Sequence, residues 1–231
     1  NDKLASKMSE PELLLYRSNL LGSDLRITNF GGGNTSAKIE MPDTLTGKNQ
    51  NVLWVKGSGG DLGSMNLDGF STLYMDKLNK LKELYRGLKY EDEMVDYLPH
   101  CTFNLNPRAA SIDTSLHAFI PNKHVDHTHP DAAIAVACMK NSKKMTKIIF
   151  GEDMAWIEWQ RPGFDLGLKL EKIAKSNPKL KGVILGQHGL FTWGETSKEC
   201  YELTLSTIQR AADWFEKNKT KEAFGGAKYK K

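Results

Sequence analysis

The sequence is poor in everything that would mark a membrane or secreted protein. No apolar run approaches the roughly 18 residues of a membrane span, and the N-terminal stretch NDKLASKMSEPELLLY lacks the apolar core of a signal peptide. A cytoplasmic protein is expected. Cysteine is scarce: Cys101, Cys138 and Cys200 are odd in number and never spaced as CxxC. That excludes a disulfide framework and suits reduced, mostly buried thiols. No internal repeat, low-complexity block or Pro/Ser-rich linker divides the 231 residues, so the whole chain reads as one domain. No GK[ST] occurs, and no GxGxxG opens a helix after a strand, which removes Walker-type and dinucleotide-binding loops.

What is present is ordinary in bulk. With 39% hydrophobic and 26% charged residues the chain is expected to bury a core unaided. The net charge of +4 is modest, and six lysines lie in the terminal KNKTKEAFGGAKYKK. A basic tail without interleaved aromatics reads as a solvated terminus or linker over residues 217–231, so no nucleic-acid partner and no membrane is expected. The chain begins with Asn1, and further residues are expected beyond both ends.

Strands and helices alternate. PELLLYRSNLLG predicts a helix ending at Gly22, SAKIEM and NVLWVKG predict strands, and NLDGFSTLYMDKLNKLKELYRG predicts a helix closed by Gly87. SLHAFIP reads as helix up to Pro121, KHVDHTH as a strand, and Pro130 opens the helix DAAIAVACM. KGVILGQHG reads as a buried strand followed by a loop. A capping box, Thr196 to Glu199, begins the last helix, whose stripe of Tyr201, Leu205, Ile208, Ala212 and Phe215 keeps a 4-3-4-3 spacing.

The chemistry concentrates in HVDHTHP, which holds three of the six histidines. On a strand, His127 and His129 point to one face and Asp126 and Thr128 to the other, a geometry that can hold a metal. His188, between Gly186 and Gly189 that allow close approach of a ligand, completes a set of three imidazoles, the usual protein complement of a catalytic zinc. The sequence does not place His188 near the other two, and an isolated His-x-His is otherwise two ordinary strand histidines. Two glycine-rich stretches, NFGGGNTSAK and VKGSGGDLG, offer backbone N–H groups that can cradle phosphate, or simply form tight turns. The segment EDMAWIEWQRPGF suits an interface or lid, and buried aromatics explain it equally well.

GGGNTS, WVKGSGGDLG, PHCTFNLNPRAASIDTSLHAF, HVDHTHPDA and GQHGL occur in an order that resembles the class II aldolase/adducin-head family. The likeness is strongest to the aldolase half of bifunctional rhamnulose-1-phosphate aldolase/alcohol dehydrogenases. It implies an α/β fold, a three-layer α/β/α domain with a largely antiparallel central sheet. It implies Zn2+ on His127, His129 and His188, and a substrate phosphate at or beside Asn34, Ser58, Gly59 and Ser111. It implies Asp113 as the acid/base carboxylate, which is a glutamate in the better-known fuculose- and rhamnulose-phosphate aldolases. The implied reaction cleaves a ketose 1-phosphate, rhamnulose 1-phosphate above all, to dihydroxyacetone phosphate and lactaldehyde through a metal-stabilised enediolate. No lysine Schiff base is needed for that chemistry. Homotetramers with a tyrosine contributed by a neighbour are common in the family. Because an aspartate occupies the Asp113 position in ribulose-5-phosphate 4-epimerases of this fold, an epimerase is the alternative; a non-enzymatic adducin-like head would lack the histidines. His117, four residues after Asp113, reads as a packing or hydrogen-bonding residue.

Overall fold

The computed structural model describes residues 2–28, 32–219 and 229. Its elements are α1 (Asp2–Ala5), α2 (Glu10–Gly22), β1 (Asn34–Pro42), β2 (Asn49–Lys56), β3 (Phe70–Tyr74), α3 (Met75–Leu84), α4 (Glu93–Asp96), α5 (Thr114–Phe119) and β4 (His124–Thr128). There follow α6 (Asp131–Ala137), α7 (Ser142–Phe150), β5 (Met154–Ile157), α8 (Phe164–Ser176), β6 (Gly182–Leu185), β7 (Gly189–Gly194) and α9 (Ser197–Asn218). The seven strands form one sheet in the order β3-β2-β1-β4-β7-β6-β5. Every neighbouring pair is antiparallel except β5 and β6.

Side-chain alternation sorts the two faces. On one, Leu53 and Val55 of β2, Val125 of β4 and Phe191 of β7 meet α3, α5 and α8 through residues such as Leu78, Phe119 and Leu170. On the other, Ala37 and Ile39 meet Leu14 of α2, while Ile184 and Leu190 meet Val136, Phe150 and Ala211 of α6, α7 and α9. The sheet is thus covered by a helical layer on each side, as expected for the α/β/α arrangement. Among the described residues no helix is long and apolar enough to cross a membrane.

Three readings of the sequence are corrected. The helix expected from NLDGFSTLYMDKLNKLKELYRG is a strand and then a helix, β3 running straight into α3 with Tyr74 as its N-cap. The loop expected after β6 is the turn Gly186–His188, and it leads into a strand not expected from the sequence, β7, which pairs with β4 and β6. The deepest stripe of α9 is Cys200, Thr204, Thr207 and Ala211, one position off the apolar stripe, which flanks it at half-burial. Threonine is tolerated there because its hydroxyl is satisfied: Thr204 Oγ1 donates to Cys200 O at 2.9 Å and lies 2.6 Å from Thr192 Oγ1.

The capping box is half formed. Thr196 Oγ1 accepts from Glu199 N at 3.1 Å, but Glu199 reaches Glu195 N, at 2.8 Å, instead of Thr196 N. Helix α9 continues to Asn218, so the tail expected from residue 217 starts inside it. Residues 220–228, with most of the expected linker, lie outside the described residues.

Candidate functional site

The site grows from β4, which lies between β1 and β7. Its α2/α9 face is anchored by Arg17, only 2% exposed, whose Nε donates to Asp126 Oδ1 at 2.9 Å. The same guanidinium donates to Ser36 O at 2.8 Å, to Ser197 Oγ at 3.0 Å and to His124 Nδ1 at 2.9 Å. Such a pair adds little net stability over an apolar one but is costly to break, so it holds β4 in register. His127 projects from the opposite face, directly across from Asn34 on β1 and Phe191 on β7.

His129 lies one residue beyond the end of the strand, a departure from the expected strand position, yet its Nε2 is 3.0 Å from His127 Nε2. His188 comes from the β6–β7 turn, where Gln187 adopts φ 57°. One ring nitrogen from each of the three histidines lies within 4.8 Å of the others. A tetrahedral cation with bonds of ~2.1 Å separates its ligand nitrogens by roughly 3.4 Å, so small ring rotations bring these donors onto a metal.

The chemistry of the donors fits as well. Nδ1 of His127 lies 3.2 Å from Leu190 O; that carbonyl assigns the proton to Nδ1 and leaves the Nε2 lone pair facing its neighbours. Burial first, and then the other imidazoles, hold His127 well below the ordinary histidine range. Burial and His188 bring His129 to about 4. His188 is also lowered by burial, with Asp113 opposing. All three are neutral near pH 7, the form that binds a cation.

The flanking glycines serve packing more than ligand approach. A Cβ on Gly189 would meet His129 Cδ2 at 2.7 Å and Thr128 O at 2.8 Å, so glycine there makes room for a histidine of the set. Gly186 stands against Trp156 and Ile157 O.

Asp113 is the N-cap residue of α5. Asn34 Nδ2 donates to Asp113 Oδ2 at 2.6 Å and to Ser111 Oγ at 3.2 Å, and Ser111 Oγ also accepts from Asp113 N at 3.2 Å. Burial raises the Asp113 pKa, while the Asn34 hydrogen bond and the charges of His188 and Lys56 pull the other way. The structure therefore gathers Asn34, Ser111 and Asp113 beside the histidines, with the Asn34 amide engaged on the carboxyl. His117 is fully buried, 2.8 Å from Ser36 Oγ through Nδ1, in the packing place expected of it.

At the end of β2, the turn Gly57–Gly60 is less open than its glycines imply. Gly57 N donates to Gly69 O at 2.9 Å and Ser58 N to Ala109 O at 3.0 Å. Ser58 and Gly59, at φ 71°, are the central residues of a turn that Gly60 closes toward Gly57, while the Gly59 N–H and the Ser58 hydroxyl have no acceptor among the described residues. Of the other glycine stretch, Asn29, Phe30 and Gly31 lie outside the described residues.

Lys56 was not among the sequence candidates. It is 3% exposed, its Nζ is 3.5 Å from Gly57 O, and burial lowers its pKa while Asp113 and Asp61 oppose. A lysine closing the apolar run VLWV just before a glycine turn was the available signal.

In the EDMAWIEWQRPGF segment, Trp156 Nε1 donates to Ser142 Oγ at 2.9 Å, while Trp159 is 57% exposed. Both line a cavity of about 940 Å³ with Lys140, Lys143 and Lys144, behind Gly186 and Gln187.

Comparison with known proteins bears on the whole chain. The family model described as Class II Aldolase and Adducin N-terminal domain matches residues 12–214. An uncharacterized oxidoreductase of Bacillus subtilis, YuxG, is 45% identical over 219 residues; the match takes in 94% of this chain and 31% of that protein, so the chain spans about a third of its relative's length. The N-terminal class II aldolase domain of a conserved protein from Thermoplasma acidophilum superposes with a TM-score of 0.81 at 32% identity, covering 90% of this chain and 94% of that one. A sugar-phosphate aldolase from Thermotoga maritima shares the fold at a TM-score of 0.65 and 15% identity, over 93% of this chain and 98% of the other.

Proposed function

The chain belongs to the class II aldolase and adducin N-terminal domain family, and from that premise we propose that it is a lyase, a divalent-metal-dependent aldolase that cleaves a ketose 1-phosphate. One observation carries the reading: three neutral imidazoles converge beside a carboxyl whose pKa burial has raised. An interaction domain has no use for that combination.

A bound divalent cation, zinc by resemblance, supplies Lewis-acid polarisation of the substrate's oxygens. His127, His129 and His188 are the residues that would hold it. Asp113 moves the proton. Its raised pKa brings it closer to the working pH, and the Asn34 amide fixes which oxygen is free to act. The Gly59 N–H and the Ser58 hydroxyl receive the phosphate, with Lys56 behind them, and binding there holds the reacting carbons in register.

The finer reading is rhamnulose 1-phosphate as substrate, with dihydroxyacetone phosphate and lactaldehyde as products. The five ordered motifs support it. So does the B. subtilis relative, about three times as long and named an oxidoreductase, as an aldolase unit joined to a dehydrogenase would be. A 4-epimerase acting on ribulose 5-phosphate is the second reading, favoured by the shorter carboxylate at Asp113. A homotetramer is proposed on the same resemblance. The test is a panel of ketose 1-phosphates and ribulose 5-phosphate, assayed with metal analysis on the same sample. Cleavage of a ketose 1-phosphate with about one divalent ion per chain upholds the proposal, and epimerisation without cleavage overturns it.

A further inference from the structure

We propose that Arg108 is a specificity-determining residue of this site, its guanidinium reading the phosphate ester of the substrate at the Gly59–Gly60 turn. The inference rests on the aldolase reading above, in that it takes the anionic end of the substrate to lie at that turn.

The loop that carries Arg108 is fixed to the sheet by its backbone and one amide. Asn106 Oδ1 accepts from Thr72 N at 3.0 Å and Thr72 Oγ1 at 2.8 Å, and its Nδ2 donates to Thr72 O at 3.1 Å. Ser71 Oγ donates to Arg108 O at 2.9 Å, and Ser58 N to Ala109 O at 3.0 Å. A Cβ on Gly57 would lie 2.8 Å from Arg108 Cβ, so residue 57 is glycine because this loop passes against the turn. An exposed side chain on so firmly held a backbone is a positioned group.

Its partners are few. The guanidinium reaches only Ser58 O, at 3.4 Å from Nη1, and enters no ion pair among the described residues. Asp61 is engaged by Ser64 Oγ at 2.7 Å, and Asp113 by Asn34. Arg108 and Lys56 are close enough for their charges to oppose one another, a smaller effect at Lys56 than burial and the two aspartates. Two like charges near one turn repel at a cost that a dianion bound at that turn offsets. A phosphate monoester has that charge and the oxygen geometry that an arginine fork matches, whereas a free sugar terminus has neither. Arg108 thus selects phosphorylated ketoses over unphosphorylated ones.

Inorganic phosphate is the probe, titrated calorimetrically into the full chain loaded with its divalent metal. Wild type binds it, Arg108→Ala binds about 10-fold more weakly and with a shallower salt dependence, and Arg108→Lys falls between. In turnover, Arg108→Ala raises KM for the phosphorylated ketose more than it lowers kcat, and leaves both constants for the unphosphorylated ketose unchanged. The thermal midpoint stays constant, because the side chain is exposed. If wild type binds no phosphate, the phosphate reading of the turn falls and this inference with it. If wild type binds and Arg108→Ala binds equally well, only the role of Arg108 is overturned. An equal rise in KM for both ketoses also overturns it.

Discussion

His127 stacks on Phe191 across the β4–β7 pair, ring centroids 4.2 Å apart and planes 17° from parallel. With its Nδ1 held at Leu190 O, the imidazole has one orientation, and its Nε2 points at the other two histidines. Phe191 therefore acts on the site without touching a metal. Phe191→Ala is expected to destabilise the fold by about 3–5 kcal/mol as a buried large-to-small change. At temperatures where the variant is still folded, metal affinity should fall by roughly 10-fold or more, the scale of lost ligand orientation. Competition with a chelator of known affinity measures this; unchanged affinity in the folded variant contradicts the orienting role.

Gly189→Ala is the complementary test from the other side of the set. Its new methyl group would lie 2.7 Å from His129 Cδ2 and 2.8 Å from Thr128 O, so the ring is displaced and the β4–β7 edge strained together, and a thermal midpoint measured on the same variant separates the two effects. Metal content should drop well below one ion per chain, to the level of His129→Ala. Full metal content in Gly189→Ala, read by elemental analysis, would show that His129 is not a ligand.

Asp113→Asn keeps the side-chain volume and removes the ionisable group. A loss of at least ~10²-fold in kcat for ketose-phosphate cleavage is expected, the lower end of general acid–base contributions, with metal content unchanged. Asp113→Glu should retain part of the activity, the backbone permitting one more methylene. Normal cleavage by the Asn variant removes the carboxylate from the mechanism; loss of metal would make it mainly a ligand and favour the epimerase reading.

Much of this was legible beforehand, and the failures have physical causes. The three histidines could be named because few side chains bind zinc, and because the strand period puts His127 on the face opposite Asp126. What joins His188 to them is the pairing of β7 with β4, and GLFTWG carries no sequence signal of its own as a strand because only the three-residue turn Gly186–His188 parts it from β6. Strand β3 was hidden for a different reason: no glycine or proline separates Tyr74 from Met75, so a helical period seemed to run through FSTLY. The turn at Ser58 looked like an open phosphate cradle because a sequence shows glycines but not that Ala109 O and Gly69 O already take two of the N–H groups. Lys56 carries little signal because single basic residues beside glycine turns are common, and Arg108 carries less because only the fold brings NPRAA against the turn at Gly57.

The pH dependence of stability has a definite sign. His117 is brought down to about 3 by burial first and then by Lys38, Arg17 and Lys56. His124 is also brought to about 3, by burial and then by Arg17, Lys123 and Lys38. Both lie below the unfolded value of about 6.5, so their contribution is fully present above that pH and is lost as pH falls toward about 3. The urea midpoint should decline from about pH 6.5 downward, and His117→Gln should flatten the decline while lowering stability at pH 7. An unchanged slope would assign the acid sensitivity to other groups.

The central position of β4 also governs how the chain reaches this structure. Its register with β1 and β7 joins segments far apart in sequence, with Arg17 meeting Asp126 across 109 residues and His127 meeting Leu190 across 63. Long loops must close before these contacts repay their entropy, so the central strand pairs late and refolding is slow for the chain's size. Until then His188 is far from the neighbouring pair His127 and His129, and no metal can gather all three. A cation added to the unfolded chain should accordingly leave the rate of folding unchanged and appear only as slower unfolding, the kinetic mark of a ligand that recognises nothing but the finished sheet.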